Sequence, residues 1–359
     1  MREWKRAAED IFASGARPLK LFLLGATDTG KTTLAAFLTN VAVSAGLKAA
    51  VVDADVGQSE IGPPGSVGCG FAQGPIERLR DIPLAHGYFV GSNSPELLSF
   101  TTAAAAKSAV DRALSSEPDV VIIDTTGLVW GRTARFLKNA KIELIEPTHV
   151  LALQRDIELE HLLRPWEVLG SPTVQVRRLP VSPRATEKSR RDRRAAREKA
   201  YRQYFAGAAL HEFDLSRTAL FRSTYLTGRP MDESETALLA TDLRCRIAHA
   251  EWLADGIFIV ADGYFELDGL QRIKERERVE EVFLTKVDKF ENLLTGLIDR
   301  SGQLLGVGIL RAVDFRRRTA TVLSPLDDST LSRVAGLQPG ILKVFPNGEE
   351  GGKIHPNDI

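Results

Sequence analysis

Cysteine is scarce in this chain: Cys69 and Cys245 are the two present among 359 residues. Two cysteines exclude a disulfide-stapled fold and are usual in a reducing compartment, so we expect a cytoplasmic protein. The longest apolar runs fall far short of the roughly 18 residues that span a bilayer, and the start of the chain lacks the apolar core of a signal peptide. The six histidines lack the spacing of zinc ligands. Lysine plus arginine equals aspartate plus glutamate at 47 each, so the chain has no net positive charge to attract nucleic acid. Any basic surface must therefore be local.

The strongest pattern present is a glycine loop between an apolar run at 21–24 and an apolar periodic segment at 34–43. It reads Gly25-Ala-Thr-Asp-Thr-Gly-Lys-Thr-Thr33, which is a phosphate-binding P-loop, and the strand–loop–helix context separates it from a chance glycine turn. In such a loop the backbone amides cradle phosphates, Lys31 reaches the β- and γ-phosphates, and the Thr32 hydroxyl ligates magnesium. The residues expected to bind the nucleotide are Gly25, Thr27, Asp28, Thr29, Gly30, Lys31, Thr32 and Thr33.

Strands and helices alternate through the first half of the chain. The pattern predicts strands at Leu21–Leu24, Ala49–Asp53, Tyr88–Val90, Val120–Asp124 and His149–Leu153, and helices at 2–14 and 95–114. This alternation predicts an α/β fold with the doubly wound, mostly parallel sheet of a P-loop NTPase. Ligands bind at the carboxyl ends of such strands, where Gly25, Asp53, Asp55, Asp124 and Thr125 are expected to meet.

Carboxylates follow two of these strands. If the chain turns after Asp53, both Asp53 and Asp55 approach the metal and the γ-phosphate, one holding magnesium through water and the other accepting a proton from a hydroxyl. The residues alone do not decide between these roles. Asp124 follows a fully apolar strand, the usual place of a magnesium-associated carboxylate, so Thr32, Asp53 and Asp124 are the predicted metal residues. The alternative is an acidic turn at a strand end, for which aspartate is common.

The loop after Asp124 is polar and contains glycine. Thr125 or Thr126 is a candidate to bond a phosphate, and Gly127 permits a close approach of the backbone. A polar turn that merely ends the strand is the alternative. The glycine-rich stretch 57–74 resists regular structure, so we interpret it as a mobile loop that lines a substrate channel, or else as an irregular connection.

Residues 182–207 form a basic segment with nine lysines and arginines against three acidic residues. Arg190, Arg193, Arg194 and Arg197 are spaced to share one face of a helix. Like charges at this spacing repel by a few tenths of a kcal/mol per pair, so the face is typical of one that binds phosphate rather than of a merely solvated helix. Beyond this segment, strands are predicted at 256–267, 293–298, 303–310 and 319–323, with some helix near 231–254. We therefore predict a P-loop domain at 1–210 with an Arg-rich helical lid, and a β-rich C-terminal domain at 211–359.

Six motifs in order carry a family resemblance over about residues 18–207. They are the P-loop, Asp53-Ala-Asp-Val-Gly-Gln58, Gly62-Pro-Pro-Gly65, Phe89-Val-Gly-Ser-Asn-Ser-Pro95, Asp124-Thr-Thr-Gly-Leu-Val129 and the Arg-rich run that ends at Tyr204-Phe205. Together they resemble the polynucleotide 5′-hydroxyl kinases, which include a subunit of the pre-mRNA cleavage machinery and a pre-ribosomal RNA kinase. The resemblance implies transfer of the ATP γ-phosphate to the 5′-hydroxyl of RNA or DNA, with magnesium.

The same resemblance implies roles for individual residues. Lys31 and Thr32 hold phosphates and magnesium, Asp55 is the base that contacts the 5′-hydroxyl, and Gln58 lines the same pocket. The loop of Thr125, Thr126 and Gly127 matches the clasp for the terminal phosphate of the substrate. Arg193 and Arg197 match the catalytic arginines of the lid, and Arg190 and Arg194 are added as substrate contacts.

Two departures from the family pattern stand out. Family members often have an aromatic residue where this chain has Leu128; if that ring stacks a base, Trp130 or Tyr88 takes over the contact, or the contact is lost. Some members also hold adenine with a large N-terminal domain, and here about twenty residues precede the P-loop strand.

Two other classes of function compete with a kinase. A P-loop NTPase switch or motor needs a residue that positions water but no arginine lid aimed at an acceptor. A nucleic-acid-binding scaffold with a structural nucleotide site has no need of a base such as Asp55. Detection of phosphate on a 5′-hydroxyl oligonucleotide distinguishes the kinase from both.

Overall fold

A computed structural model describes residues 2–15, 17–170, 174–183 and 185–358. Arg184, one of the basic residues counted above, lies outside them. The chain divides into two compact units, Met1–Ala200 and Tyr201–Ile359, called here the N-terminal and C-terminal units. The domain boundary after residue 210 stays a prediction. In the described ranges no helix is both long enough and apolar enough to cross a membrane.

The N-terminal unit alternates strands and helices. Its strands are β1 (Leu19–Gly25), β2 (Ala49–Ala54), β3 (Ser66–Phe71), β4 (His86–Phe89), β5 (Val120–Thr125), β6 (His149–Gln154) and β7 (Gln175–Pro180). Its helices are α1 (Arg2–Phe12), α2 (Lys31–Ser44), α3 (Ser99–Leu114), α4 (Gly131–Ile145), α5 (Glu160–Leu169) and α6 (Arg190–Tyr204), with a short 3-10 helix at Leu79–Asp81. Helix α6 runs across the division between the units.

The strands form one twisted sheet in the order β4-β3-β2-β5-β1-β6-β7. The five strands from β2 to β7 in this order pair in parallel, and β3 is antiparallel to both of its neighbours. Buried side chains of α1 and α2 cover one face of the sheet and those of α3, α4 and α5 cover the other. The prediction of a doubly wound, mostly parallel sheet is therefore confirmed.

The interpretation of residues 57–74 as a loop is wrong in part, because β3 occupies Ser66–Phe71. The glycines that suggested a loop are required by close contacts between the strand and neighbouring segments of the chain. A Cβ at Gly68 would lie 1.9 Å from the Ile61 carbonyl oxygen, and one at Gly70 would lie 2.3 Å from the Pro83 carbonyl oxygen. Glycine is thus used here because neighbouring backbone lies directly against the strand.

The C-terminal unit is rich in β-structure, as predicted. Its strands are β8 (Ala209–Asp214), β9 (Ala219–Leu220), β10 (Arg229–Pro230), β11 (Arg246–Trp252), β12 (Gly256–Asp262), β13 (Glu281–Lys286), β14 (Leu293–Ile298), β15 (Leu304–Asp314), β16 (Thr319–Ser324), β17 (Gly336–Val344) and β18 (Glu350–Lys353). Its helices are α7 (Glu233–Leu243), α8 (Gly269–Glu277) and α9 (Asp328–Leu331), with 3-10 turns at Val287–Lys289 and Pro356–Asp358.

These strands form two sheets, one in the order β10-β11-β12-β13 and a larger one in the order β18-β17-β14-β15-β16-β8, with β9 beside β17. The region near 231–254, where some helix is predicted, contains α7 and then β11. Asp232 caps the start of α7 by accepting the backbone N–H groups of Ser234 and Glu235, and Arg244 ends this helix in a left-handed conformation. The predicted strand 256–267 ends at Asp262, since Gly263 has a φ of 96°.

Candidate active site

The P-loop connects β1 to α2 with the geometry that its glycines predict. Gly30 has a φ of 88°, which a side chain disfavours. A Cβ at Gly25 would lie 2.5 Å from Thr29 Oγ1. The Thr29 hydroxyl is buried and donates to the Ala26 carbonyl at 2.9 Å, so it supports the loop from within. Lys31 Nζ folds back over the loop and donates to the same carbonyl at 2.9 Å.

A cleft of about 730 Å³ opens beside the P-loop; we call it the P-loop cleft. Its lining includes the P-loop residues Thr27, Asp28, Gly30, Lys31, Thr32 and Thr33, together with Asp55, Gln58, Gly127 and Lys188 from other segments. Trp4 of α1 and Phe37 of α2 line it as well. The volume is in the range of small-molecule and cofactor sites.

Thr32 and Asp124 meet at the carboxyl ends of the strands. The Thr32 hydroxyl donates to Asp124 Oδ2 at 2.6 Å, and Asp124 Oδ1 is buried with no hydrogen-bond partner among the described residues. Burial raises the pKa of Asp124 to about 6, which Lys31 and the Thr32 hydroxyl partly oppose. A hydroxyl and a carboxylate with one oxygen unsatisfied are hard oxygen donors that suit magnesium.

Asp53 is placed differently from Asp124, although the two are paired in register between β2 and β5. Asp53 Oδ2 accepts the backbone N–H groups of Glu60 and Ile61, and its Oδ1 accepts that of Asp55 at 3.1 Å. Burial first, and Asp124 second, raise its pKa well above the usual value. Asp53 thereby holds the turn after β2, and its predicted role as a metal residue has no support from this geometry.

Asp55 lies in the turn that Asp53 holds. Its Oδ1 accepts the backbone N–H of Gly57 at 3.1 Å, which orients the carboxylate. The close fit of the turn is visible at Gly57, where a Cβ would lie 3.1 Å from the Asn93 carbonyl oxygen. Asp55 and Gln58 both line the P-loop cleft, so the structure brings these two predicted residues beside Lys31.

The loop after β5 divides the predicted clasp residues. Gly127 lines the cleft and lies so close to the P-loop that a Cβ would be 2.6 Å from Thr27 Cα. The Thr125 side chain is fully buried, and its hydroxyl donates to the Leu23 carbonyl at 2.7 Å. Thr126 is 3% exposed. Neither threonine lines the cleft as a phosphate ligand would, so this geometry favours support of the loop as their role.

Lys138 of α4 holds this loop in place and was not found from the sequence. Its side chain is fully buried, and Nζ donates to Thr125 Oγ1 at 2.8 Å and to the Thr126 carbonyl at 2.6 Å. Burial lowers the pKa of Lys138 well below its usual value. The sequence signal for it is weak: Lys138 stands beside Leu137 on the buried stripe of α4, where apolar residues are expected.

A second lysine, Lys141, is buried one turn further along α4. Its Nζ has no hydrogen-bond partner among the described residues. Burial lowers the pKa of Lys141 to about 8, although Asp55, Asp53 and Asp124 act in the opposite direction. Unlike Lys138, it therefore holds no loop through a hydrogen bond.

An ion pair joins the Arg-rich helix α6 to the P-loop. Arg193 Nη1 and the Asp28 carboxylate are 2.9 Å apart, and the same Asp28 oxygen accepts the backbone N–H of Lys188 at 2.9 Å. Asp28 has a φ of 60°, a conformation that aspartate tolerates better than most residues. The first turn of α6 is thus joined to the loop that is predicted to bind phosphate.

The other predicted substrate residues lie outside this contact. Arg194 pairs with Glu198 at 2.8 Å within α6, which partly neutralises the basic face. Arg190 is exposed and Arg197 half-buried. Trp130 is 62% exposed and stacks on His161, with ring centroids 5.8 Å apart.

The doubly wound sheet, the P-loop and the paired Thr32 and Asp124 define a P-loop nucleotide-binding protein. Residues 25–207 match the family described as mRNA cleavage and polyadenylation factor CLP1 P-loop. The match covers half of the chain, and the chain belongs to this family.

Curated relatives match over nearly the whole length. The polyribonucleotide 5′-hydroxyl-kinase of Methanocaldococcus jannaschii is 30% identical over 96% of this chain and 92% of the relative. That of Thermococcus kodakarensis is 33% identical over 98% and 95%. In a solved wild-type Clp1p–Pcf11p complex, one chain aligns with a TM-score of 0.59 and 14% identity, covering 96% of this chain and 79% of that one. At this identity the structural likeness supports the fold alone.

We expect Lys141→Met to stabilise the protein at pH 7 by on the order of 2–3 kcal/mol, because it removes a buried cation that has no hydrogen bond. The pKa of Lys141 in the folded protein, about 8, lies below the usual 10.5. Between these pH values the unfolded chain binds more protons than the folded protein, so the wild type gains stability as pH rises. The advantage of the variant must therefore shrink from pH 8 towards pH 10.5. Urea denaturation across this range measures it.

Lys107→Met is the matched control, since Lys107 forms an exposed ion pair with Asp111 on α3. Such pairs contribute only about 0.3–0.5 kcal/mol. A loss of stability in Lys141→Met at pH 7 would show that the ammonium group has a compensating partner.

Proposed function

We propose that this protein transfers the γ-phosphate of ATP to the 5′-hydroxyl end of a polyribonucleotide, with magnesium as cofactor. One observation carries the proposal: Lys31 and Thr32 of the P-loop line the same cleft as Asp55 and Gln58. A nucleotide-binding loop alone serves many functions. A carboxylate held beside it by its own turn supplies the proton acceptor that a hydroxyl substrate requires.

In the proposed reaction, the 5′-hydroxyl oxygen forms a bond to the γ-phosphorus while the bond to the β–γ bridging oxygen breaks and ADP leaves. Asp55 accepts the hydroxyl proton. Lys31 binds the phosphates, as do the backbone amides of the P-loop. Catalysis of this kind depends mainly on orientation and on stabilisation of charge, and both follow from a rigid loop and a fixed turn.

The metal would be held by Thr32 and Asp124. When bound, magnesium would neutralise the negative charge that develops on the transferred phosphoryl group. The unsatisfied Oδ1 of Asp124 supports this assignment, because a buried carboxylate oxygen without a partner is costly unless a ligand satisfies it. Asp53 is left out of the proposed metal site, since backbone amides engage both of its oxygens.

Arg193 is the residue of α6 that we propose to act at the transferred phosphoryl group. It is joined through an ion pair to Asp28, a P-loop residue that lines the P-loop cleft, and this supports the role. Arg197 stays a prediction as a second catalytic arginine. Arg190 and Arg194 remain predicted substrate contacts, and the pairing of Arg194 with Glu198 makes it the weaker of the two.

We propose RNA as the acceptor because the archaeal relatives are named polyribonucleotide kinases; DNA is tested as an alternative acceptor. We also propose a cytoplasmic location, since both cysteines are free thiols, which is usual in a reducing compartment.

Incubation with γ-labelled ATP, magnesium and a short 5′-hydroxyl oligoribonucleotide tests the function. We expect label on the oligonucleotide, none on one that already carries a 5′-phosphate, and very little on a free nucleoside, which lacks a backbone phosphate to orient it. Lys31→Ala must abolish transfer. Release of inorganic phosphate without labelled oligonucleotide would contradict the proposal and indicate an NTPase switch instead.

Asp55→Asn should slow transfer by about 10²–10⁴-fold, the usual contribution of a positioned proton acceptor. The ATP Michaelis constant should change little, because the amide retains the hydrogen bond from Gly57. Single-turnover measurements separate the two effects. Asp53→Asn serves as the comparison: a large loss of the chemical step in Asp53→Asn, with Asp55→Asn close to wild type, would contradict the assignment of Asp55 as the base.

Arg193→Ala should lower kcat by up to about 10³–10⁵-fold if this arginine stabilises the transferred group. Asp28→Asn keeps a residue that tolerates the φ of 60° but removes the ion pair, so it should lower kcat by mislocating Arg193. The double variant should be no slower than Arg193→Ala alone, because both substitutions remove the same interaction between Arg193 and Asp28. Arg191→Ala, which changes an exposed neighbour, is the control. If the kcat losses of the two single variants multiply in the double variant, Arg193 and Asp28 do not act together.

A further inference from the structure

The outer face of the first two turns of α4 combines exposed aromatic and basic side chains. Trp130, immediately before the helix, is 62% exposed, and Phe136 is 69% exposed. Arg132 and Arg135 are also exposed. The inner face of the helix is already filled by buried residues such as Ala134 and Leu137. The exposed aromatics therefore do not serve the core.

This surface follows the candidate active site directly along the chain. Helix α4 follows directly on the loop that contains Gly127, which lines the P-loop cleft. Trp130 is fixed in orientation because it stacks on His161, whose Nε2 pairs with the Val129 carbonyl at 2.9 Å. An exposed ring whose orientation is fixed thus follows three residues after Gly127, the residue of this loop that lines the cleft.

Charge along α4 is distributed unevenly. The two arginines occupy the end near the cleft, whereas the exposed acidic residues Glu143 and Glu146 stand at the far end of the helix. The positive end of the helix dipole coincides with the basic end. An anionic partner is therefore favoured next to the cleft and disfavoured beyond it.

We infer that the outer face formed by Trp130, Arg132, Arg135 and Phe136 binds the single-stranded polyribonucleotide beyond its 5′-terminal nucleotides. This inference rests on the proposed function. Aromatic side chains stack with bases without regard to sequence, and arginines contact the phosphates between them. From residue 131 to 136 the helix rises about 7.5 Å, a length of about two bases stacked about 3.4 Å apart.

The inference predicts a dependence on substrate length. A dinucleotide ends before it reaches this surface, whereas an acceptor of about ten nucleotides extends across it. In the variant with both Arg132→Ala and Arg135→Ala, the KM for the longer acceptor should rise about 10-fold, with kcat and the KM for the dinucleotide unchanged. Phe136→Ala should raise the KM for the longer acceptor about 5-fold or more, since stacking on an aromatic ring contributes this much per base.

Direct binding provides the second measurement. Fluorescence anisotropy with a 3′-labelled, 5′-hydroxyl oligoribonucleotide of about ten nucleotides should show weaker binding by the double arginine variant. Its slope of log affinity against log salt should be shallower by about 1.4, because each lost phosphate contact contributes about 0.7 for a single strand. Two variants are the matched controls: Arg112→Ala, in the last turn of α3, and Leu144→Ala, in the last turn of α4. Both should change neither binding nor KM.

The outcomes separate this inference from the proposed function. Three results would refute RNA binding by this surface: equal effects on the dinucleotide and the longer acceptor, an unchanged salt slope, or no effect at all. Each would favour a protein partner for these side chains. The anisotropy measurement requires no turnover. If the wild type labels no acceptor, the proposed function fails, while the change in binding and salt slope still decides whether RNA uses this surface.

Discussion

The close approach of Gly127 to Thr27 is the constraint on which the candidate site depends. A Cβ at residue 127 would lie 2.6 Å from Thr27 Cα and 2.7 Å from its backbone nitrogen, a separation that side chains do not tolerate. The loop after β5 and the P-loop therefore pack as one surface. Asp124, three residues before Gly127, accepts the Thr32 hydroxyl of the same P-loop segment.

Buried polar side chains around that contact hold the site in shape. Asp53 accepts three backbone N–H groups and fixes the turn that contains Asp55. Lys138 fixes the loop that contains Gly127. Burial of a polar or charged side chain is unfavourable unless hydrogen bonds compensate it, and the hydrogen bonds that compensate Asp53 and Lys138 are the ones that position Asp55 and Gly127. Transfer reactions depend on such placement, because small displacements of a reacting group reduce the rate strongly.

The residues that define a local backbone conformation were predictable from the sequence, and those that depend on distant contacts were not. The P-loop, the order of strands and helices around it and the family follow from short motifs whose spacing has a local cause. Strand β3 was missed because its glycines satisfy contacts with Ile61 and Pro83, which lie in other segments. Lys138 was missed for the same reason: its partners, Thr125 and Thr126, are on another element.

The ion pair between Arg193 and Asp28 shows that the basic face of α6 is partly neutralised by the protein itself. Four arginines on one face suggested a helix that anions must neutralise, yet Asp28 and Glu198 already neutralise Arg193 and Arg194. Because Asp28 belongs to the P-loop, the first turn of α6 is held against this loop. If α6 acts as the lid that we propose, less of it has to be ordered when phosphate binds, and such preorganisation favours affinity. Under the same proposal the Asp28 carboxylate competes with phosphate for Arg193, so the interaction that positions the arginine would limit how strongly it holds the product.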